Sequence, residues 1–124
     1  KKRIYERYKK NLKNVKGIKI PIVKEWTTKY IMWVFNIYLE KNFPLTREQL
    51  VEKLHKKNIE TRNAFVPINK QKVLVDKYNL FKEEDCPNAN YIMENGFYLP
   101  SGTNIENDEI DFICNEIIKF SKKS

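Results

Sequence analysis

Tyr30-Ile31-Met32-Trp33-Val34-Phe35-Asn36-Ile37-Tyr38 is an uncharged run of aromatic and β-branched residues. Both of its faces are apolar, which predicts a strand that is central and buried. Asn42 and Pro44 close it, and Thr46 opens a helix: Thr46 with Gln49 spells a capping box, and Leu45 with Leu50 supplies the staple across it. Leu50, Val51 and Leu54 give that helix its buried stripe. His55, Lys56 and Lys57 place positive charge at its carboxyl end before Asn58 stops it.

Upstream, residues 3 to 13 carry Ile4, Tyr5, Tyr8 and Leu12 at helical spacing, and the stretch from Asn14 to Gly17 ends that helix. Ile18, Ile20 and Ile22 then alternate in extended fashion, with Pro21 arguing against a central strand. Downstream, Ile59 to Pro67 reads as a short strand running into a loop, and Lys70 to Lys77 as a weak helical stretch. A polar loop with Glu83, Glu84, Asp85 and Pro87 follows, then a helix over 88–94 that Asn95 and Gly96 terminate. Phe97 to Leu99 gives a brief strand before Pro100. From 107 to 120, Ile110, Ile113, Cys114, Ile117 and Ile118 follow the i, i+3, i+4, i+7, i+8 pattern of a helix lying on a core. Helices and strands so interspersed predict an α+β fold, a small mainly antiparallel sheet covered by helices. At 124 residues the length fits a single domain over 1–124.

The net charge of +8 is uneven. Residues 1–24 hold ten basic side chains against Glu6 alone, whereas the remaining hundred hold 14 basic and 15 acidic ones. On an amphipathic helix this reads most simply as a solvated basic face, with a phosphate-binding surface as the alternative. Cys86 and Cys114 are far apart and have only His55 to join them, so zinc is excluded and two reduced thiols are expected. The apolar stretch from Tyr30 to Leu39 is about half of the roughly 20 residues a membrane-spanning helix needs, and no secretory leader opens the chain. These features predict a cytoplasmic chain with no membrane partner.

The three glycines, Gly17, Gly96 and Gly102, are isolated, so no phosphate loop is present. His55 lies at a cationic helix end without a nucleophile, and Asp108, Glu109 and Asp111 open the last helix, where the helix dipole alone favours acids. One segment differs: Thr61-Arg62-Asn63-Ala64-Phe65-Val66-Pro67-Ile68-Asn69-Lys70-Gln71 sets an arginine and several amides into an otherwise apolar strand and loop. Inserted polar groups need partners, and the Arg62 fork suits a carboxylate or phosphate. Arg62 is therefore the leading ligand-contact candidate, against the alternative of a structural ion pair.

Several motifs in order then resemble the carboxyl-terminal small domain of the DegT/DnrJ/StrS family of pyridoxal-phosphate-dependent sugar aminotransferases, especially members similar to perosamine synthetase. They are Arg3-Ile4-Tyr5-Glu6-Arg7-Tyr8, Trp33-Val34-Phe35-Asn36-Ile37, the helix from Thr46 to Leu54 with Ile59-Glu60-Thr61-Arg62 after it, and Phe65, Pro67 and Gln71 of that family's loop. Cys86-Pro87-Asn88-Ala89, Gly96-Phe97-Tyr98-Leu99-Pro100-Ser101-Gly102 and Ile110-Asp111-Phe112-Ile113 complete the set, which covers residues 1 to about 120.

The resemblance implies the small-domain fold of fold-type I aminotransferases and amino transfer from glutamate to a nucleotide-linked keto sugar, usually by a homodimer. It also implies that the loop bearing Arg62 and Asn69 approaches the active site. Asn69 stands where many members have His, and Asn63 and Ala64 replace the common Pro or Gly. Arg62 and then Asn69 are the expected substrate contacts, with Phe65 and Tyr98 expected to pack. Pyridoxal phosphate is implied for a full-length enzyme, whose amino-terminal domain supplies the Schiff-base lysine. No lysine here is followed by the Gly-rich segment that accompanies it, and the chain starts at Lys1, which suggests an excised fragment without catalytic residues or cofactor of its own. The rival expectation is a free-standing basic module for nucleic acid or another polyanion.

Overall fold

In a computed structural model, residues 1–81 and 85–122 are described. Of the polar loop expected ahead of Pro87, Glu83 and Glu84 lie outside the described residues. Helix α1 (Lys2–Leu12) buries Ile4, Tyr5, Tyr8 and Leu12, the four positions its periodicity marks. Gly17 then turns the chain with φ +79°, and a Cβ there would lie 2.9 Å from the Phe43 backbone, so the turn needs glycine. Strand β1 (Ile18–Lys19) is short and sits at the sheet edge, as Pro21 requires.

Strand β2 (Phe35–Leu39) alternates strictly: Phe35, Ile37 and Leu39 are buried, while Asn36 and Tyr38 are half-buried. This corrects the expectation of a strand over 30–38 buried on both faces. Its partner β4 (Gly96–Leu99) ends where Pro100 follows, and the last pair is Phe35 with Leu99. Beyond it nothing remains to pair with, so residues 30–34 leave the sheet. Met32 is buried there, but Ile31 and Trp33 stand in solvent.

Helix α2 (Arg47–His55) carries the expected capping box, with Gln49 N–H donating to Thr46 Oγ1 at 3.3 Å and Thr46 N–H donating to Gln49 Oε1 at 3.0 Å. Asn58, at φ 59°, ends that turn. Strand β3 pairs only over Arg62–Asn63, much less than the Ile59 to Pro67 segment expected. The helix expected over 70–77 is instead a 3₁₀ turn at Ile68–Lys70 and a π-helical turn at Val73–Lys77. No side chain of the π-helical turn is buried, so no packing face holds it to an α-helix.

Helix α3 (Pro87–Asn95) starts with proline at its amino end and passes straight into β4 at Gly96, where a Cβ would meet the Ile92 carbonyl oxygen at 2.4 Å. Helix α4 (Asn107–Ser121) buries Ile110, Ile113, Cys114, Ile117 and Phe120. The sheet is antiparallel in the order β1-β2-β4-β3. One buried cluster joins α1, α2, α4 and the inner sheet face, so the chain's own residues close the core. α3 packs near Tyr38 on the other face, where Tyr91 donates to the Leu39 carbonyl at 2.9 Å.

Candidate functional site

Alternation in the sheet puts Asn36, Tyr98 and Arg62 on the outer face, because Asn36 pairs with Tyr98 and Tyr98 with Arg62 across three adjacent strands. A cavity of about 310 Å³ opens beside them, lined by Lys1, Trp33, Glu60, Arg62, Tyr98 and Ser101 among others. Its floor lies where the ends of β2 and β4 part. Lys1 Nζ donates to the carbonyls of Trp33 at 2.8 Å and Ser101 at 2.5 Å, tying together the two segments that leave the sheet.

Two rings, Trp33 and Tyr98, line the cavity, and Phe65, which is not among its lining residues, bridges them. Phe65 stacks on Trp33 with centroids 5.7 Å apart and planes at 19°, and tilts against Tyr98 at 5.3 Å. The Phe65 N–H also donates to the Tyr98 hydroxyl at 3.4 Å. Phe65 and Tyr98 thus do touch each other, but Phe65 is 63% exposed and Trp33 69% exposed, so Phe65 packs on the surface and not in the core.

Arg62 stands at the rim with its side chain 81% exposed, 3.5 Å from Glu60. An exposed pair at that distance contributes little, which leaves the guanidinium donors available to a ligand. Asn69 is placed differently. It is 8% exposed, sits in the 3₁₀ turn and donates to Asn90 Oδ1 at 3.4 Å. Asn69 is not among the residues lining the cavity of Arg62.

The residues that sequence reasoning missed are Trp33 and Lys1. Trp33 read as strand core, and only the register that sets Phe35 against Leu99 shows that it lies past the end of pairing. The one signal available was Pro100, which limits β4.

Pyridoxal phosphate needs a lysine for its Schiff base, an acid facing its ring nitrogen and donors for its phosphate. In this cavity the lysine is Lys1, whose ammonium already serves two carbonyls, and the carboxylate is Glu60, beside Arg62. The residues described do not fit the cofactor by themselves. Among them there is no metal-binding group of acidic, His or Cys side chains, and no helix long and apolar enough to cross a membrane.

The basic segment turns inward more than its composition suggests. Arg7 pairs with Asp111, Arg3 donates to Asn107 Oδ1 at 2.6 Å, Lys19 lies 3.4 Å from Glu40, and Lys9 sits over the Tyr5 ring. These contacts disfavour a free-standing polyanion module.

The family model described as the DegT/DnrJ/EryC1/StrS aminotransferase family matches residues 1–118. Among solved structures, S. venezuelae DesV in complex with a ketimine intermediate superposes with a TM-score of 0.82 at 18% identity, covering 99% of this chain and 31% of that one. Helicobacter pylori PseC, an aminotransferase involved in the biosynthesis of pseudoaminic acid, gives 0.75 at 17% identity, covering 96% and 31%. DesI in the presence of its TDP-sugar product gives 0.75 at 16% identity, covering 98% and 30%. At such identities the likeness shows the fold. The chain spans about a third of the length of these structures. No curated protein matches it significantly.

Proposed function

The chain belongs to the DegT/DnrJ/EryC1/StrS aminotransferase family, and from that premise we propose that it serves as the carboxyl-terminal small domain, 1–124, of a pyridoxal-phosphate-dependent sugar-nucleotide aminotransferase. Such an enzyme moves an amino group from glutamate to a nucleotide-linked keto sugar. The observation that carries this reading is the family match over residues 1–118 in a chain that spans about a third of its structural neighbours. Its partners in this reading are an amino-terminal cofactor domain of the same protein and a second subunit, in the cytoplasm. The cofactor, when bound there, supplies the electron sink for amino transfer. In this reading the chain supplies an open face with Arg62 at its rim, where the lining lysine, Lys1, is held by two carbonyls, and the Schiff-base lysine comes from the amino-terminal domain, without which amino transfer is not expected.

Arg62 is the substrate contact in this reading, and Asn69 braces the loop from behind as the second candidate. The test is amino transfer by the longer polypeptide purified from its source, with the visible absorbance of a pyridoxal Schiff base as the first readout. Arg62→Ala in that enzyme is expected to lower kcat/KM by about tenfold or more, the effect of losing a charged hydrogen bond. An unchanged rate would remove Arg62 from the site. A natural product of 15.0 kDa without a cofactor band would overturn the function itself.

A further inference from the structure

We propose that the cavity between α1 and the segment over 23–32 binds an amphiphilic anion, its acidic group among Lys2, Lys9 and Lys29 and its apolar body against Tyr5, Tyr30 and Met32. This second cavity shares only Lys1 with the one beside Arg62. The proposal goes beyond the amino-transfer reading and does not depend on it.

Charge is the first argument. Arg3 and Arg7 turn to α4 and Lys19 to Glu40, but Lys2 and Lys9 line this cavity from α1, and Lys29 lines it from the facing segment. None of Lys2, Lys9 and Lys29 has an acidic partner among the described residues, and Glu6 is the single acid lining the cavity. Lys9 sits over the Tyr5 ring, 5.6 Å from its centroid, which holds that ammonium beside the opening. Lys1 also lines the cavity, but its ammonium already serves the carbonyls of Trp33 and Ser101. Charges of one sign gathered around apolar walls focus their potential into the space between them, and an anion is drawn there.

The walls decide what kind of anion fits. Tyr5 and Met32 are buried and Val23 is half-buried, while Tyr30 and Ile31 stay exposed beside them. The Tyr5 and Tyr30 rings meet edge to face with centroids 5.0 Å apart, and the Tyr5 hydroxyl donates to the Pro21 carbonyl at 3.3 Å, so this apolar surface is fixed in place. A bare inorganic anion leaves it wet, whereas an acyl or aryl body removes it from water. The volume, about 510 Å³, falls within the range of small-molecule pockets and admits a body of about ten carbons. Glutamate and inorganic phosphate carry the charge without the body.

The experiment uses the 124-residue chain, which has two methionines: Met32 in the cavity and Met93 on α3, outside it. Methyl-labelled methionine therefore gives one reporter and one internal control. Decanoate, 1-naphthoate, decanol and inorganic phosphate are titrated separately, the amphiphiles below their aggregation limits, while both methyl resonances are followed by NMR. At least one of the two acids is expected to shift Met32 saturably and leave Met93 in place, decanol to bind more weakly than decanoate, and phosphate to shift neither methyl. Lys2→Ala combined with Lys29→Ala should weaken binding of the acid about fivefold, and added salt should weaken it further. Both lysines are exposed, so the double change does not threaten folding. No saturable Met32 shift by either acid, a shift indifferent to the two lysine substitutions, or equal binding by decanol or phosphate overturns the site. Met32 and Met93 shifting together marks non-specific amphiphile binding and overturns it too. Loss of the Met32 response in the longer polypeptide does the same, because protein then fills the cavity.

Discussion

Arg7 on α1 and Asp111 on α4 meet through two parallel hydrogen bonds, Nε to Oδ1 at 2.7 Å and Nη2 to Oδ2, and Asn11 adds a third to Oδ1 at 2.8 Å. These bonds hold the two helices in register over the core and explain why an acid in the first half of α4 faces a basic helix. The Arg7 and Asn11 bonds hold the Asp111 carboxyl down at about 2, against an ordinary 3.8. A carboxylate lowered on folding stabilises the fold above its unfolded value and loses that contribution as pH falls through the folded one. The urea midpoint is therefore expected to fall between about pH 4 and about pH 2. Asp111→Asn should start lower at neutral pH and show a shallower acid slope. Equal slopes in the two proteins would show that the pair contributes nothing. Glu48 and Glu52, also lowered, by hydrogen bonds to the Glu48 backbone and to Lys56 respectively, supply the slope common to both.

Tyr8 is fully buried, stacks on Phe35 at 4.7 Å and donates its hydroxyl to the Pro100 carbonyl at 2.7 Å. That bond anchors the segment where β4 leaves the sheet. Burial pushes the Tyr8 phenol far above its ordinary value, so the neutral form makes the bond at all accessible pH. Tyr8→Phe keeps the ring and orphans the carbonyl, at a cost of about 1–2 kcal/mol. Denaturant unfolding reads this directly, and a change within error would mean that water replaces the hydroxyl.

The helices were legible in the sequence because each carries its own signal: the spacing of Ile4, Tyr5, Tyr8 and Leu12, the Thr46 and Gln49 cap, and the stripe from Ile110 to Ile118. The sheet was legible in its membership but not in its register, since Trp33 and Ile37 are equally apolar and only pairing with β4 separates exposed from buried. The same holds for the site. Arg62 stood out as a charge in an apolar segment, whereas the ring cluster of Trp33, Phe65 and Tyr98 joins residues about thirty positions apart and is written in no local pattern. Asn69 illustrates the converse: a polar residue in a loop is satisfied from inside by Asn90.

Cys114 lies buried on the inner face of α4, and burial pushes its thiol up to about 12, while Cys86 is half-exposed at the start of α3. Alkylation requires thiolate and access together. Under native conditions at neutral pH, iodoacetamide is expected to modify Cys86 alone, with Cys114 reacting only after denaturant is added. Peptide mass mapping would settle it, and rapid native labelling of Cys114 would mean that α4 lifts off the core.

Arg62 and Asn69, paired by sequence reasoning as two contacts to one ligand, occupy opposite environments, and substitution should separate them. Arg62 is exposed with one loose partner, so Arg62→Ala should leave stability within about 0.5 kcal/mol of the parent. Asn69→Ala leaves the buried side of the 3₁₀ turn without its bond to Asn90, and should cost about 1 kcal/mol. In the longer enzyme the expected pattern follows from this difference. Arg62→Ala lowers kcat/KM without lowering the melting temperature. Asn69→Ala lowers the melting temperature, and its effect on rate is recovered by Asn69→Gln only if the amide braces the loop from a position where a longer side chain still reaches Asn90. If Asn69→Ala instead lowers the rate with the melting temperature unchanged, the asparagine turns outward to the substrate, and its bond to Asn90 is not the one that matters.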